Sequence, residues 1–324
     1  MTADFIKGAA AELDRRARNQ GASAAMTWKP DIVIYHSPCD DGFGAAWAAS
    51  KRWGDEPQYL PTNYGIPAPD VSRLNVLIVD FSYKRAELDV MAQTAASIVI
   101  LDHHKTALAE LEAFRFIESS PGAVSADDID GTLRDCAELD RPPVIAVFDM
   151  ERSGARMTWD FCHPDTPAPR LIELIEDRDL WRFSIPETRA FSLLLRAHPD
   201  DFQAWNEIAD QVQNSFGLMQ FRAKGIEQFY DRRIDRMLKG KRWTSIGGYT
   251  VPTVNCPSDF SSDVGHALLK LHPEAPFAAC YCDGNDRRGY SLRSDDERVD
   301  VSEIARKLGG GGHRNAAGFG VPLP

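Results

Sequence analysis

The sequence predicts an α/β chain, with a doubly wound, mainly parallel sheet joined through a helical connector to a smaller α+β lobe with a mixed sheet. Three observations carry that expectation. Near-continuous apolar runs of strand length, "DIVIYHS" (31–37), "NVLIVDFS" (75–82), "SIVILDHH" (97–104) and "FRFIES" (114–119), alternate with helix-like segments through the first half. Runs that are apolar at nearly every position suit strands buried on both faces, the situation in a parallel sheet covered by helices on each side. From about 201 to 239 the periodicity turns helical, and beyond 242 hairpin signals take over. At 324 residues the chain also exceeds the ~250–300 at which single cores stop growing, so more than one lobe is expected.

The elements follow in order. "MTADFIKGAAAELDRRARNQGAS" lacks a basic start, apolar middle and cleavage site, and reads as a short amphipathic helix carrying Phe5, Ile6, Ala9 and Leu13. A cytoplasmic protein is expected. "DGFGAAWAASKRW" and "YKRAELDVMAQTAA" have the apolar spacing of crossover helices. The stretch 121–143 is acidic and bounded by prolines, and is expected to be a surface insertion. "SGARMTWDFC" and "RLIELIEDRDLW" are helical. The connector repeats Ile208, Val212, Leu218, Ile226, Phe229 and Ile234 at mixed three and four spacings. Its Arg222, Lys224, Arg232, Arg233, Arg236 and Lys239 could face an anion, although a charged helix is more often a solvated face. "RWTSIGGYTVPTVN" reads as two strands about a Gly247-Gly248 turn, "FAACYCDGNDRRGYSLRS" as a second hairpin, and "DVSEIARKL" as a helix running into "GGGGHRNAAGFG". The expected division is 1–200, a connector at 201–240, and 241–324.

Composition limits the function classes. With 43% hydrophobic and 26% charged residues and no run near ~18 apolar residues, neither a disordered chain nor a membrane span is indicated. Six cysteines are scattered without a C-x-x-C pair, so free thiols are expected rather than a zinc knuckle or a redox dithiol. A net charge of −11 disfavours a sequence-independent grip on duplex DNA, which needs many contacts from Lys and Arg to phosphate.

Ligands of doubly wound sheets collect beyond the carboxyl ends of the strands. Three apolar runs deliver polar groups there: His36, Asp40 and Asp41 after the first, Asp80 after the second, and Asp102, His103 and His104 after the third. Each alone could be a helix cap or a satisfied core histidine. Together, carboxylates and imidazoles converging on one crevice would repel or stay unsatisfied unless a cation held them. Oxygen and nitrogen donors without ordered thiolates suit Mn²⁺, with Mg²⁺ or Co²⁺ as alternatives. Two ions about 3.5–4 Å apart, bridged by one carboxylate, would activate water and clamp a phosphoryl oxygen. Asp80, on the middle run, is the candidate bridge.

The stretches "HSPCDDGFGAA", "VLIVDFS", "LDHHKTA", "LIELIEDRDLW", "YSLRS" and "GGGGHRNAAGF" span 36–319 in order. In them the chain resembles the DHH-family phosphoesterases that carry a C-terminal DHHA1 domain, in particular the nanoRNase or oligoribonuclease-like branch. The resemblance implies that His36 and Asp80 bind one metal, and Asp41, Asp80, His103 and an aspartate of "IEDRDLW" the other, with Asp177 the better match and Asp179 the alternative. It implies that Asp102 orients the imidazoles and that His104 contacts the scissile phosphate. The family's first motif often carries two aspartates separated by one residue; here Cys39 stands at the first of these positions, so either Cys39 or Asp40 would complete the first metal site.

The second lobe would recognise the substrate. Gly309 to Gly312 let backbone approach an anion, with Gly310, Gly311, Gly312, His313 and Arg314 as expected contacts, unless the glycines merely permit tight packing. Arg293 can bind a phosphate bidentately. The expected activity is metal-dependent hydrolysis of phosphodiesters or phosphomonoesters of small nucleotides or short oligonucleotides, with no membrane partner and a homodimer left open. Pyrophosphatase or exopolyphosphatase action, or a nucleotide sensor with an incomplete metal site, are the alternatives. His163, His198, His266 and His272 are expected at the surface or as caps, and Trp47, Trp159, Trp181, Trp205 and Trp243 in packing.

Overall fold

The computed structural model describes residues 28–112, 114–118 and 124–323. The amphipathic segment at Phe5, Ile6, Ala9 and Leu13 lies outside the described residues. The first lobe is a six-stranded sheet in the order β2-β1-β3-β4-β6-β5, with every described pairing parallel. Its strands are β1 (Ile32–His36), β2 (Gln58–Thr62), β3 (Asn75–Val79), β4 (Ser97–Asp102), β5 (Arg115–Glu118) and β6 (Val144–Phe148). The strand order reverses between β1 and β3, and that reversal opens the crevice in which the site sits.

Side chains of a strand alternate between faces, and here both faces are apolar. Val33, Tyr35, Leu77, Val79, Val99, Leu101, Ile145 and Val147 form one core, while Ile32, Ile34, Val76, Ile78, Ile98, Ile100 and Val144 form the other. The first face is covered by α1 (Asp40–Trp53), α5 (Gly154–Cys162), α6 (Arg170–Asp179) and α8 (Phe202–Asn214), the second by α2 (Arg85–Ala92) and α3 (Lys105–Leu111). Each fully buried Val, Leu or Ile contributes about 1.5–3 kcal/mol, so the double layer explains why the runs are apolar throughout.

The stretch 121–143 is not a surface insertion where it is described. From Ala126 it turns into α4 (Ile129–Glu138), whose Ile129 and Cys136 enter the first core. Its acidic face and flanking prolines masked an amphipathic helix.

α7 (Thr188–Leu195) and the long α9 (Phe216–Leu238) complete the connector. The buried side of α9 is Met219, Ala223, Tyr230 and Ile234, whereas Leu218 and Phe229, expected to pack, are 61% and 65% exposed. The apolar repeat of this helix therefore has two stripes, of which one faces solvent. The division expected at 201 falls inside packing, since Trp205, Ile208 and Val212 of α8 belong to the first core.

The second lobe is a mixed six-stranded sheet, β11-β12-β10-β9-β8-β7, with one parallel pair, β8 with β9. It comprises β7 (Arg242–Ile246), β8 (Tyr249–Asn255), α10 (Ser261–Leu271), β9 (Ala278–Asp283), β10 (Arg287–Arg293), α11 (Val301–Lys307), β11 (Gly311–Gly312) and β12 (Ala316–Pro322). Gly247 and Gly248 take φ of 59° and 88°, the paired positive values of a tight hairpin turn. Asp300 caps α11 through the Ser302 amide.

Candidate metal centre and interlobe cleft

At the carboxyl end of the first sheet, the side chains predicted from three strands meet. His103 Nε2 lies 3.0 Å from Asp80 Oδ1, 3.6 Å from Asp41 Oδ2 and 3.7 Å from Asp179 Oδ2. His36 Nδ1 is 3.6 Å from the other Asp80 oxygen. Asp80 thus faces both imidazoles, the position of a bridging ligand. Two of the groupings that could hold a metal share it: Asp41, Asp80 and His103, and His36, Cys39 and Asp80.

Local structure explains the convergence. Asp80 follows β3 with a left-handed φ of 52°, which turns its side chain out of the strand direction. Asp41, in the first turn of α1, accepts hydrogen bonds from the Gly154 and Ala155 amides at 2.6 and 3.0 Å, at the start of α5. A carboxylate there meets the positive end of the helix. Gly154 also lies under Asp80: a Cβ added to it would come within 2.4 Å of the Asp80 Cβ. Likewise, a Cβ on Gly42 would strike the His36 carbonyl oxygen at 2.1 Å. These glycines and the α5 amides were missed from sequence; the "SGA" start of α5, with Ser153 as its cap, was the available signal.

The electrostatics are those of a crowded acidic site. Burial, then Asp80 and Asp179, push the Asp41 carboxyl well above its ordinary range. Desolvation opposes ionisation of Asp80, yet hydrogen bonds from His103 and His36 hold it well below. Desolvation pulls His103 down, but Asp80, Asp179 and Asp41 outweigh it and raise it to about 10. Desolvation also raises Asp179, and with the surrounding carboxylates it lifts the Cys39 thiol well above its usual value. Without another cation, the cluster keeps a proton on His103 to balance its acids. The buried His103 Nδ1 has no hydrogen-bond partner among the described residues. Proteins rarely retain such a concentration of unsatisfied and mutually repelling groups unless an ion joins them, so the donor set fits a divalent metal.

Several assignments change. Asp177 is turned away from the cluster: it accepts from Ser184 N and Oγ, Ile185 N and Thr188 Oγ1, and so ties α6 to the start of α7. Asp179, two residues on, supplies the carboxylate instead. Asp177 matched the motif better, but two residues of helix rotate the side chain to the other face. Asp40 pairs with Arg196 at 2.8 Å and stands apart from the imidazoles, leaving Cys39 beside His36 and Asp80. Asp102, fully buried, accepts from Ser82 Oγ, from the His103 and His104 amides, and from His104 Nδ1 at 2.6 Å. It fixes the His104 ring, but not the ring of His103.

The second lobe closes over this cluster. His313 stacks on His104 with ring centroids 4.5 Å apart and lies 4.7 Å from His103. Burial and those two imidazoles hold it well below its ordinary value. Gly310 to Gly312 serve packing: a Cβ on Gly310 would collide with the Gly318 carbonyl oxygen, the Gly310 amide donates to the Ala305 carbonyl, and the Gly312 amide reaches Thr106 Oγ1 of the first lobe at 3.4 Å. These glycines bring the turn that carries His313 close to the first lobe. Arg314 bonds the Asp296 and Arg298 carbonyls, and Arg293 donates to Ser262 Oγ at 2.6 Å; both line the cleft.

The cleft between the lobes has a volume of about 1940 Å³. Across it, Arg178 and Asp263 form a nearly buried pair at 2.8 Å, and Trp181 stacks on His266 at 3.8 Å. Trp181 and His266, unremarkable in the sequence, therefore join the lobes, while Trp47, Trp159 and Trp205 are buried in the first core. All six cysteines are free. No helix among the described residues is long and apolar enough to cross a membrane.

No family model matches the chain. It is 31% identical over 324 residues to an uncharacterised protein of Acanthamoeba polyphaga mimivirus, covering 89% of this chain and 67% of that one. It is 26% identical over 242 residues to oligoribonuclease NrnB of Bacillus subtilis, covering 72% of this chain and 55% of that one. A solved structure described as the DHH domain of a member of the s1p family of ribosomal proteins shares the fold, at a TM-score of 0.53 and 13% identity, over 99% of this chain and 94% of the other. With an Asp-His-His run at the end of the fourth strand, an aspartate after the third and a glycine-rich turn carrying His313 onto them, the chain has the fold of a DHH domain.

Proposed function

We propose that the protein hydrolyses phosphodiester or phosphomonoester bonds of small nucleotides or short oligonucleotides with the help of bound divalent cations, Mn²⁺ first among them. The observation that carries this reading is the meeting of Asp41, Asp80, Asp179, His36 and His103 on the floor of a 1940 Å³ cleft. Sites for single small ligands run to about 1,000 Å³, so the cleft has room for more than one nucleotide. The name of the Bacillus relative, an oligoribonuclease, agrees.

His36 and Asp80, with Cys39 beside them, would hold one ion, and Asp41, Asp80, Asp179 and His103 the second. Such ions supply Lewis acidity toward a phosphoryl oxygen and a nucleophilic water at neutral pH. The protein's own groups do the rest. His104, its Nδ1 engaged by Asp102, lines the cleft and turns its remaining nitrogen to a phosphoryl or leaving oxygen. His313 packs against that ring and restricts water around it. Arg293 and Arg314, from the opposite wall, orient phosphate.

The test is a hydrolysis panel of pAp, pApA, a longer single strand, a cyclic dinucleotide and pyrophosphate, run with Mn²⁺ and with Mg²⁺. Turnover of pApA that disappears in Asp80→Asn, with the fold retained by circular dichroism, supports the reading. Preference for pyrophosphate, or binding without turnover, refutes it.

A further inference from the structure

The mechanism leaves the outer face of α9 unused. Leu218, Arg222, Phe229, Arg232 and Arg236 fall on one side at spacings of four, seven, three and four, with Phe221 beside them. Phe221 is 79% exposed and Phe229 65%, and all the basic residues of the stripe are exposed. The side chains of Arg222, Arg232 and Arg236 form no ion pair with another described residue. Of the acids on α9, Glu227 and Asp231 both pair with Arg189, which leaves Asp235, exposed and three residues on from Arg232, as the acid beside the stripe. On a chain of net charge −11, this is a local cationic surface with aromatic rings set into it.

We propose that this stripe is a secondary binding track for the tail of a single-stranded oligonucleotide whose end is in the cleft. The inference rests on the phosphoesterase reading and extends it to the substrate's length. Sequence-tolerant binding of single strands combines cationic grooves with aromatic side chains on which bases stack. Phe221 and Phe229 supply such rings, and Arg222, Arg232 and Arg236 lie between and beyond them. The stripe runs about 27 Å at ~1.5 Å per residue. It meets the cleft at Phe229, which belongs to both. A second copy of the chain fits less well, because it would set cations against cations along the same helix.

The experiment measures binding of a fluorescein-labelled single strand of about 10 nucleotides by polarisation, with EDTA present so that turnover plays no part. The native protein is compared with Phe221→Ala and with a double variant carrying Arg222→Gln and Arg232→Gln; a labelled dinucleotide is the reference ligand. The substitutions are at exposed positions and disturb stability by no more than about 0.5 kcal/mol. Each variant is expected to weaken the longer strand about 10-fold and leave the dinucleotide unchanged. The double variant should also lower the salt slope by about 1.4, at ~0.7 for each phosphate that is no longer neutralised. Equal binding of the longer strand by native and variant proteins overturns the proposal. So does a native protein that holds the longer strand no tighter than the dinucleotide, or a Phe221→Ala protein that changes from dimer to monomer in sedimentation with strand binding intact. Stripe-dependent binding by a protein that, loaded with Mn²⁺, cuts no length of strand upholds the track and retires the phosphoesterase reading instead.

Discussion

Gly154 is the position where the smallest change should do most harm. A Cβ there would sit 2.4 Å from the Asp80 Cβ and 2.9 Å from both Cα and Cγ. Carbon atoms in packed interiors stay about 3.5–4.0 Å apart, so either Asp80 or the start of α5 must retreat by about 1 Å. The same turn of helix holds Asp41 through the Gly154 and Ala155 amides, so neither acid can move independently. A misplacement of about 1 Å at a reacting centre costs on the order of 10²-fold in rate, and overpacking costs about 1–3 kcal/mol. Gly154→Ala is therefore expected to lose about two orders of magnitude in Mn²⁺-dependent hydrolysis of bis-p-nitrophenyl phosphate, with a lowered Tm by calorimetry. Gly131→Ala is the control. It lies in α4 with only Arg134 Nη2 near, at 3.8 Å, and should gain about 0.5–1 kcal/mol with activity unchanged. A Gly154→Ala protein with native turnover and native Tm would refute the claim that this helix end sets the spacing of the acids.

The two aspartates of α6 should separate cleanly. Asp177→Ala strands the buried Thr188 hydroxyl and the half-covered amides of Ser184 and Ile185 and is expected to cost about 2–4 kcal/mol in urea unfolding with Mn²⁺ affinity preserved, whereas Asp179→Asn should keep stability and lose Mn²⁺ affinity by calorimetric titration. Reversal of that pattern would restore Asp177 as the ligand. Mn²⁺ at about 100 times its Kd should stabilise the protein by about 2.7 kcal/mol, read as a rise in Tm that EDTA abolishes, and a Tm indifferent to both would count against the site. Between the lobes, Arg178→Ala leaves Asp263 buried without its partner and should cost about 3–5 kcal/mol. Burial works against ionisation of Asp263, but Arg178, with Arg189 and Arg196, holds its carboxyl below the ordinary range. The stabilisation it gives is therefore complete above the unfolded value of ~3.9 and is lost as pH falls through the lower folded one. Asp263→Asn should flatten that acid limb in pH-dependent unfolding; an unchanged limb would show that the pair contributes nothing.

The parallel sheet was legible because its strands are buried on both sides, so Val76 to Val79 and Ile98 to Leu101 are apolar without alternation. β2 was not, since "QYLPT" is an edge strand whose proline and polar residues break the pattern. His36, Asp41, Asp80 and His103 could be named because a strand end is a fixed address in this kind of sheet. Asp177 and Asp179 could not be told apart, since their difference is a helical rotation and a local matter of whether Ser184 and Thr188 are there to receive the side chain. The glycine run was open to two readings for a related reason: residues that let a backbone approach an anion equally let it approach Thr106 and Gly318. The cationic residues of α9 were visible, but only the structure shows that Arg189 takes up Glu227 and Asp231.

The stacking of His313 over His103 and His104 bears on the order in which the cluster is assembled during synthesis. Translation delivers Asp41, Asp80 and the histidine pair early, the amides of Gly154 and Ala155 later, and His313 only after most of the second lobe has been made. A nascent chain released part-way would carry the acids yet lack the ring that covers them. On the proposed reading, a chain stopped before His313 keeps the acids without the imidazole stacked on them, and its hydrolysis is expected to fall.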